Sequence, residues 1–276
     1  GMASTKASVS EKVAIDNTNN LAEILKTNVN IMNVETKISV NKILIKADIN
    51  FKMLYSNEEG KVFQVKRVFP VMGFVDMQDI KEDAICDPNI EIRNMLVKPN
   101  GSEDKTVSVD MEIGMQVIAY SSKEINVIRD LYSPSKNLKF NQKNVNLIQN
   151  KSVYVGTYSI NQREKLDIGS EKVYDTDVIV NIQDKKAVNG AANLTGNIEF
   201  TFTHSTAEFT GVSNQTISIP FNCNVNGKNI NESSSLSVSY SITNENYNIM
   251  PGGEIDLKLD IVFTVSSSNI SNVSLI

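Results

Sequence analysis

Apolar and polar residues alternate along long stretches of this chain, and this period of two constrains the fold more than any other feature. Three runs show it most clearly, with an apolar residue at every second position, at 43–53, 107–117 and 255–265. Successive side chains of a strand point to opposite faces, so each run would bury one face and wet the other. That pattern is typical of antiparallel sheets. The sequence therefore predicts an all-β protein.

Turn residues separate the alternating runs. SNEEGK at 56–61, KPNGSED at 98–104 and MPGGE at 250–254 supply Gly, Asn or Pro where the chain must reverse. One segment is ambiguous: NLAEILK at 20–26 has apolar residues at helical spacing and suits either a short helix or the start of a strand. Since strands dominate, we predict β-sandwiches.

The chain repeats itself. INFKMLYS at 49–56 matches IEFTFTHS at 198–205 in its alternate apolar positions, which places Phe51 and Phe200 at the same core position. Two further blocks follow in the same order at nearly the same offset: Phe69-Pro70 with Ile219-Pro220, and 107–117 with 255–265. Three ordered matches indicate duplication. We predict two tandem antiparallel β-sandwich-like domains related by internal duplication.

The 276 residues suffice for two domains of ordinary size. A small, polar start and a polar, basic middle segment mark the boundaries. The predicted parts are a disordered N-terminus at 1–11, a first β domain at 12–135, a connector at 136–150 and a second, diverged copy at 151–276. Within the connector, Val145, Leu147 and Ile148 are expected to pair with an edge of the second domain.

Charge and cysteine content exclude some classes of protein. The net charge is −5 and the pI about 5.1, with basic residues scattered, which argues against a nucleic-acid partner. Cys86 and Cys223 fall at non-equivalent places, so we expect two isolated thiols; a bridge between them is the alternative.

No stretch of the sequence is long and apolar enough to insert into a membrane. The longest apolar run, VFPVMGFV at 68–75, is short and contains Pro70 and Gly73. The N-terminal residues lack the apolar core of a signal peptide. We therefore expect a chain made in the cytosol, without membrane insertion.

Candidates for chemistry are few. The single histidine, His204, aligns with Tyr55 at a strand end, which favours a structural role. The acidic stretch at 76–91 could hold Ca²⁺ or supply an acid/base pair, with Asp79, Asp83 and Asp87 as candidates, but its spacing favours a solvated loop. We predict no catalytic residue, no metal ligand, no cofactor-binding residue and no cofactor.

Two surface features bear on binding. Residues 187–251 carry few charges, namely Glu199, Glu208, Lys228, Glu232 and Glu245. Since monomeric proteins usually place charges on strand edges, a neutral face suits packing into an assembly. An aromatic patch that stacks on sugars would need exposed rings; Tyr154, Tyr158 and Tyr174 are the candidates, although they are better explained as strand residues.

Residues 20–77 resemble the SPOCS domain family of endospore-forming Firmicutes, which includes SipL-like spore-coat proteins. The resemblance lies in Ile24-Leu25 as the helix-like start of the domain, the strand from Val40 to Ile45, Leu54-Tyr55 before the acidic Glu58-Glu59 turn, and Phe69 to Phe74. A later strand ending in VIRDLY, with Val127, Asp130 and Tyr132, resembles the end of the family's domain. The second copy ends its matching strand in Thr203-His204 instead of Leu-Tyr, and nothing here resembles the LysM module of SipL-like proteins.

The resemblance implies a non-enzymatic structural or assembly protein of the spore coat or outer spore layers that acts through protein–protein contacts. Its implied partners are other spore-coat or envelope proteins, with self-association as one form. The implied location is the mother-cell cytoplasm and then the spore coat or spore surface. A cell-wall or cortex glycan-binding module is the alternative. The interface residues are unknown from the sequence.

Overall fold

The computed structural model describes residues 1–15, 20–101, 105–128, 130–168, 172–206, 211–250 and 252–276. Within these ranges the chain forms twelve β-strands and no helix. In chain order the strands are β1 (Met2–Ala14), β2 (Leu21–Ser39), β3 (Lys42–Asn57), β4 (Val62–Asp76), β5 (Ile85–Pro99), β6 (Thr106–Tyr120), β7 (Lys143–Lys165), β8 (Val173–Val188), β9 (Ala191–Ser205), β10 (Val212–Asn226), β11 (Ser235–Ile249) and β12 (Glu254–Leu275).

Strands β1 to β6 build the first unit, here named the N-terminal sandwich. They form two three-stranded antiparallel sheets, in the orders β2-β3-β4 and β1-β6-β5. The central strands β3 and β6 bury their alternate residues between the sheets, including Phe51 and Ile113. Each sheet therefore buries one face against the other sheet, which explains why apolar and polar residues alternate in the sequence.

Strands β7 to β12 repeat this plan in the C-terminal sandwich. The sheets run β8-β9-β10 and β7-β12-β11, and β9 and β12 are central. Phe200 and Phe263 are buried in a hydrophobic core separate from that of the first unit. The predicted all-β class of two duplicated, antiparallel sandwich-like units is confirmed.

The matched strands of the duplication take equivalent places. INFKMLYS lies in β3 and IEFTFTHS in β9, and both are the middle strand of their sheet. Phe51 and Phe200 are both buried, as the alignment predicts. The ends of the strands differ, because Tyr55 is buried and stacks on Phe63 at 5.5 Å, whereas His204 is half-buried.

The ambiguous segment at 20–26 is strand, and the helical alternative is wrong for it. Strand β2 pairs with β3 from Leu21 onward, but the register shifts between Leu21 and Glu23 and again between Ile24 and Lys26. Each irregularity adds a residue to one strand and breaks the period of two. The apolar residues of this segment consequently acquire helix-like spacing inside a strand.

The N-terminal residues are not disordered in the structure, contrary to the expectation for 1–11. They belong to β1, which pairs with β6 from Met2 opposite Ile118 to Ala14 opposite Thr106. The inward positions of β1 include Ala3, Thr5 and Ala7, which are half-buried. Such small side chains give a weak hydrophobic signal, so the strand is hidden in the sequence.

The connector also differs from its predicted bounds. The described residues between β6 and β7, at 121–142, contain no strand, and β7 begins at Lys143. Val145, Leu147 and Ile148 pair with the second unit, but with its central strand β12 and not with an edge. They lie opposite Val273, Ser271 and Ile270. Only the first half of the predicted connector is therefore irregular.

The segment VIRDLY does not form the expected strand. The described residues Val127, Asp130 and Tyr132 lie in the irregular connector, and Tyr132 is largely exposed. Arg129 lies outside the described residues, as do residues 102–104 and Pro251 of the predicted turns. The last strand of the N-terminal sandwich ends earlier, at Tyr120.

Each sandwich has a proline in an edge strand at the same place. Pro70 lies in β4 opposite Asp48, and Pro220 lies in β10 opposite Asn197. Because proline has no N–H, it is tolerated only where no ladder hydrogen bond is needed, and it weakens an edge as a template for another strand. Both edge strands are thereby protected against strand addition.

Candidate functional site

The two sandwiches contact each other through the outer face of the sheet β2-β3-β4. Lys52 and Leu54 of β3 point away from their own core, yet they are only 5% and 2% exposed. The residues opposite Leu54, Lys26 on β2 and Gln64 on β4, bond to residues of β8. The C-terminal sandwich therefore covers this end of the outer face.

The centre of the contact is Asp175 of β8, which is 1% exposed. Gln64 Nε2 donates a hydrogen bond to its Oδ1 at 2.7 Å, and Lys52 Nζ lies 3.7 Å from the same oxygen. Lys52 also donates to the backbone carbonyl of Thr176 at 2.8 Å. A buried charge is tolerated only when it is paired and hydrogen-bonded, and these contacts meet both conditions for Lys52 and Asp175.

A second carboxylate extends the contact toward solvent. Asp177 accepts a hydrogen bond from Asn28 Nδ2 at 2.6 Å and forms an ion pair with Lys26. The ammonium of Lys26 lies 3.6 Å from Asp175, so it contacts both carboxylates. Charged and polar side chains from four strands, β2, β3, β4 and β8, thus hold the sandwiches together, and this polar contact specifies their relative placement.

A cleft of about 630 Å³ opens beside this contact. It lies between β2 to β5 of the N-terminal sandwich and β8 and β11 of the C-terminal one, and its volume is in the range of small-molecule and peptide sites. Its walls are apolar at positions such as Ile31 and Val178. Polar groups converge on it from Asn50, Lys66 and Glu245. The cleft can therefore offer hydrogen bonds and both signs of charge to a bound group.

Glu245 of β11 lies where the cleft meets the ion pairs, 3.9 Å from Lys52 Nζ. Burial raises the pKa of its carboxyl above the ordinary value of 4.5, although the positive charges of Lys52 and Lys66 oppose this rise. The nearby carboxylates Asp175 and Asp177 reinforce it. Ionisation of Glu245 therefore costs more in the folded protein than in the unfolded chain.

The stability of the protein should depend on pH through Glu245. Its folded-state pKa exceeds its unfolded value, so its stabilising contribution is complete below about pH 4.5 and is lost as the pH rises through the folded pKa. The variant Glu245→Gln lacks this loss. Relative to the wild type, its free energy of unfolding should rise as the pH increases from about 4.5 through the folded-state pKa of Glu245, and then level off. Urea denaturation at a series of pH values measures this difference.

The matched control is Glu254→Gln on β12, where the side chain is about half exposed. The free energy of unfolding of Glu254→Gln should follow that of the wild type closely across the pH series. Parallel pH profiles for the wild type and Glu245→Gln would contradict the role of burial at Glu245.

A second surface lies on the same outer face, beyond the end covered by the C-terminal sandwich. The outward side chains of β4 at this end are Val68, Met72 and Phe74, which are 59%, 61% and 57% exposed, with Pro70 among them. We name these four residues the apolar stripe. Exposed apolar side chains in a contiguous row are unusual on a soluble surface and often mark contact sites.

The C-terminal sandwich carries polar residues at the equivalent positions. In register, Val68 corresponds to Ser218, Met72 to Asn222 and Phe74 to Asn224, whereas Pro70 corresponds to Pro220. All of these positions are exposed in both units. The fold itself therefore does not require apolar residues there, and the stripe is specific to the N-terminal sandwich.

The sequence of β4 itself indicates the apolar stripe, because it does not alternate as the other strands do. VFPVMGFV at 68–75 is apolar at almost every position, so both faces of the strand are apolar. Strands that read as continuous apolar runs are usually covered on both faces. The corresponding stretch SIPFNCNV at 218–225 alternates and has only its inward face buried. The comparison of the two runs predicts a second covered face on β4.

The structure separates the other candidates from this site. His204 lies on β9, and its Nδ1 is 2.7 Å from the carbonyl oxygen of Ser205. The acidic stretch at 76–91 lies around the turn between β4 and β5. Among the described residues, no three His, Cys, Asp or Glu side chains are placed to hold a metal ion. Cys86 is half-buried and Cys223 is buried, both as free thiols, and burial raises the pKa of each.

The tyrosines do not form one exposed patch. Tyr154 and Tyr158 on β7 pack, partly buried, against the core of the C-terminal sandwich, where Tyr158 lies 5.8 Å from Phe221. Tyr174 lies on β8, in the other sheet, beside Lys172. Within the residues that the structure describes, these rings therefore offer no shared surface to a sugar.

The low-charge region is partly involved in the contact between the sandwiches. Glu245 lies in that contact and Glu199 is half-buried on β9. Lys228 and Glu232 lie in two successive turns between β10 and β11. Glu208 lies outside the described residues. The exposed face of β10 is left with neutral Ser, Pro and Asn side chains.

Comparison with known proteins bears on the N-terminal sandwich. Residues 20–100, which span β2 to β5, match the model of the family described as SipL, SPOCS domain. The resemblance of this part of the chain to that family is confirmed, and the family is related to sporulation and is not a known enzyme family. No curated protein and no solved structure matches the chain. The described residues contain no helix that could cross a membrane.

Proposed function

We propose that this chain is a non-enzymatic structural or assembly protein of the spore coat or outer spore layers and acts through contacts with other coat or envelope proteins. The family match at residues 20–100 supports a role in sporulation. The observation that carries the contact role is the apolar stripe on β4. It is exposed, it lies in the part of the chain that matches the family, and its copy in the C-terminal sandwich is polar.

The contact between the sandwiches supports a scaffolding role. The buried pair of Lys52 and Asp175, with Gln64 and Lys26 around it, holds the second unit over one end of the outer sheet. The apolar stripe lies on β4, beyond the end of the sheet that this contact covers. A fixed second unit would therefore present the stripe at a defined orientation to a partner.

Localisation of a tagged full-length chain through sporulation tests the proposal. The chain should accumulate in the mother cell, surround the developing spore and remain with purified spores after salt washes. The variant with Met72→Asn and Phe74→Asn, which takes the residues of the second copy, should stay diffuse in the mother cell. Val155→Asn removes an exposed apolar residue elsewhere and should localise normally.

Expression confined to vegetative cells, or absence from purified spores, would contradict the proposal. Normal localisation of the stripe variant would contradict the role of the apolar stripe as the contact surface. Cosedimentation with purified peptidoglycan, unchanged in the stripe variant, would favour the glycan-binding alternative instead.

A further inference from the structure

Two charged side chains on the neighbouring strand border the apolar stripe. On β3, Lys46 lies opposite Met72 and Asp48 lies opposite Pro70, and both side chains point to the same outer face as the stripe. Lys46 is exposed, and Asp48 is half-buried and accepts a hydrogen bond from Asn33 Nδ2 at 2.8 Å. One positive and one negative group therefore stand side by side along the stripe.

This pattern is complementary to itself under one particular symmetry. If two such faces stack with their β4 strands antiparallel, about a twofold axis midway between residues 70 and 72, each strand lies over its own copy. Met72 then lies over Pro70 of the other copy, and Phe74 lies over Val68. On the neighbour strand, Lys46 of each copy comes to face Asp48 of the other. A twofold contact requires a patch that complements itself in this way.

From this self-complementarity we infer that the apolar stripe is the contact between two copies of this chain, which stack face to face with antiparallel β4 strands. This inference rests on the stripe being a protein-contact surface, as in the proposed function, and it names the partner. The stripe is apolar, which supplies the driving force, and its charged border specifies orientation. In a parallel twofold stack the two β3 strands would lie on opposite sides of the paired β4 strands, so Lys46 faces Asp48 only in the antiparallel arrangement.

Face stacking is favoured over strand addition. Pro70 lies in the middle of the edge strand and offers no N–H to an incoming strand. The side chains around it point out of the sheet, where a second sheet can cover them. The contact therefore resembles the packing between the two sheets inside each sandwich, which also buries apolar faces against each other.

The contact is small. A standard interface buries about 800 Å² per partner, and four residues of one strand with their immediate neighbours form a patch at the low end of this range. We therefore expect a weak, reversible dimer that dissociates on dilution. Such a weak contact suits an assembly in which many copies are held close together, because local concentration then replaces affinity.

Sedimentation velocity of the full chain over a wide concentration range tests the inference. The wild type should shift from monomer to dimer, and Met72→Asn with Phe74→Asn should raise the dissociation constant at least about tenfold. Val155→Asn, the matched exposed apolar control on β7, should dimerise like the wild type. Circular dichroism and thermal unfolding establish that each variant is folded.

Charge reversal tests the orientation. Lys46→Asp alone places two carboxylates opposite each other and should weaken the dimer. Adding Asp48→Lys restores opposite charges across the twofold axis and should recover the wild-type dissociation constant. Only the antiparallel arrangement predicts this recovery.

Three outcomes would overturn the inference: a wild type that stays monomeric, a dimer that survives the stripe variant, and a charge-reversed pair that does not recover. The proposed function fails separately. A monomeric chain that still localises to spores would leave that function standing and would assign the stripe to another protein.

Discussion

Replacing Phe51 by alanine should destabilise the N-terminal sandwich by about 3–5 kcal/mol, since a large buried side chain is lost and a cavity remains. Phe51 is fully buried in the central strand, and the centroid of its ring lies 6.1 Å from that of Phe69. The surrounding side chains belong to two facing sheets, which cannot close the space without shifting. Hydrogen exchange measured by mass spectrometry should show faster exchange in peptides from β3 and β6.

The duplicated fold supplies the control for this prediction. Phe200→Ala removes the equivalent side chain from the C-terminal sandwich, where Phe200 stacks near Phe202 at 6.4 Å. It should speed exchange mainly in β9 and β12. If both variants speed exchange equally throughout the chain, the two cores do not unfold as separate units, and the reading of two independent sandwiches is contradicted.

Asp175→Ala should cost about 3–5 kcal/mol, because it leaves Lys52 in a buried site without its nearest carboxylate. The side chains of Lys52 and Asp175 are 6% and 2% exposed, so Lys52 is poorly hydrated for as long as the sandwiches stay in contact. Gln64 loses its acceptor at the same time. The main consequence should be separation of the sandwiches, which small-angle X-ray scattering would record as a larger radius of gyration.

A double-mutant cycle distinguishes this contact from a general loss of stability. Lys52→Met removes the buried charge, so Lys52→Met with Asp175→Ala should cost less than the sum of the two single changes. The exposed pair of Arg163 and Asp256, 2.8 Å apart, is the control. Asp256→Ala should change stability little and leave the radius of gyration unchanged, because the pair is exposed to solvent. Additive costs at Lys52 and Asp175 would refute the coupling.

The parts of the fold that are evident from the sequence are the central strands. In β3 and β9, one face of large apolar residues meets the opposite sheet, so the period of two is clear and the duplication can be seen. Edge strands are harder to recognise. The first half of β1 fills its inward positions with Ala3, Thr5 and Ala7, and β2 breaks its own period with irregular pairing near Leu21 and Ile24. Small side chains and bulges conceal both strands.

The site could be predicted only in part. The outward residues Asn50 and Lys52 differ from Glu199 and Thr201 in the second copy, and this difference points to the covered end of the sheet. The partner of Lys52 does not follow from its sequence neighbourhood, since the carbonyl that it contacts belongs to Thr176, 124 positions away. A pairing over such a distance depends on how two folded units pack, and a single sequence carries no periodic signal for it.

The first and last strands of each sandwich lie side by side, and this arrangement bears on how the chain could have arisen. Met2 of β1 lies opposite Ile118 of β6, and Lys143 of β7 lies opposite Leu275 of β12. In each unit, the chain therefore enters and leaves at the same end. Adjacent termini permit a second copy to be appended without rethreading the first, and they permit circular permutation. A chain that joins Tyr120 to Met2 through a short linker and opens at the β3–β4 turn should therefore form the same sheets. The arrangement of the strands would then not depend on their order in the sequence.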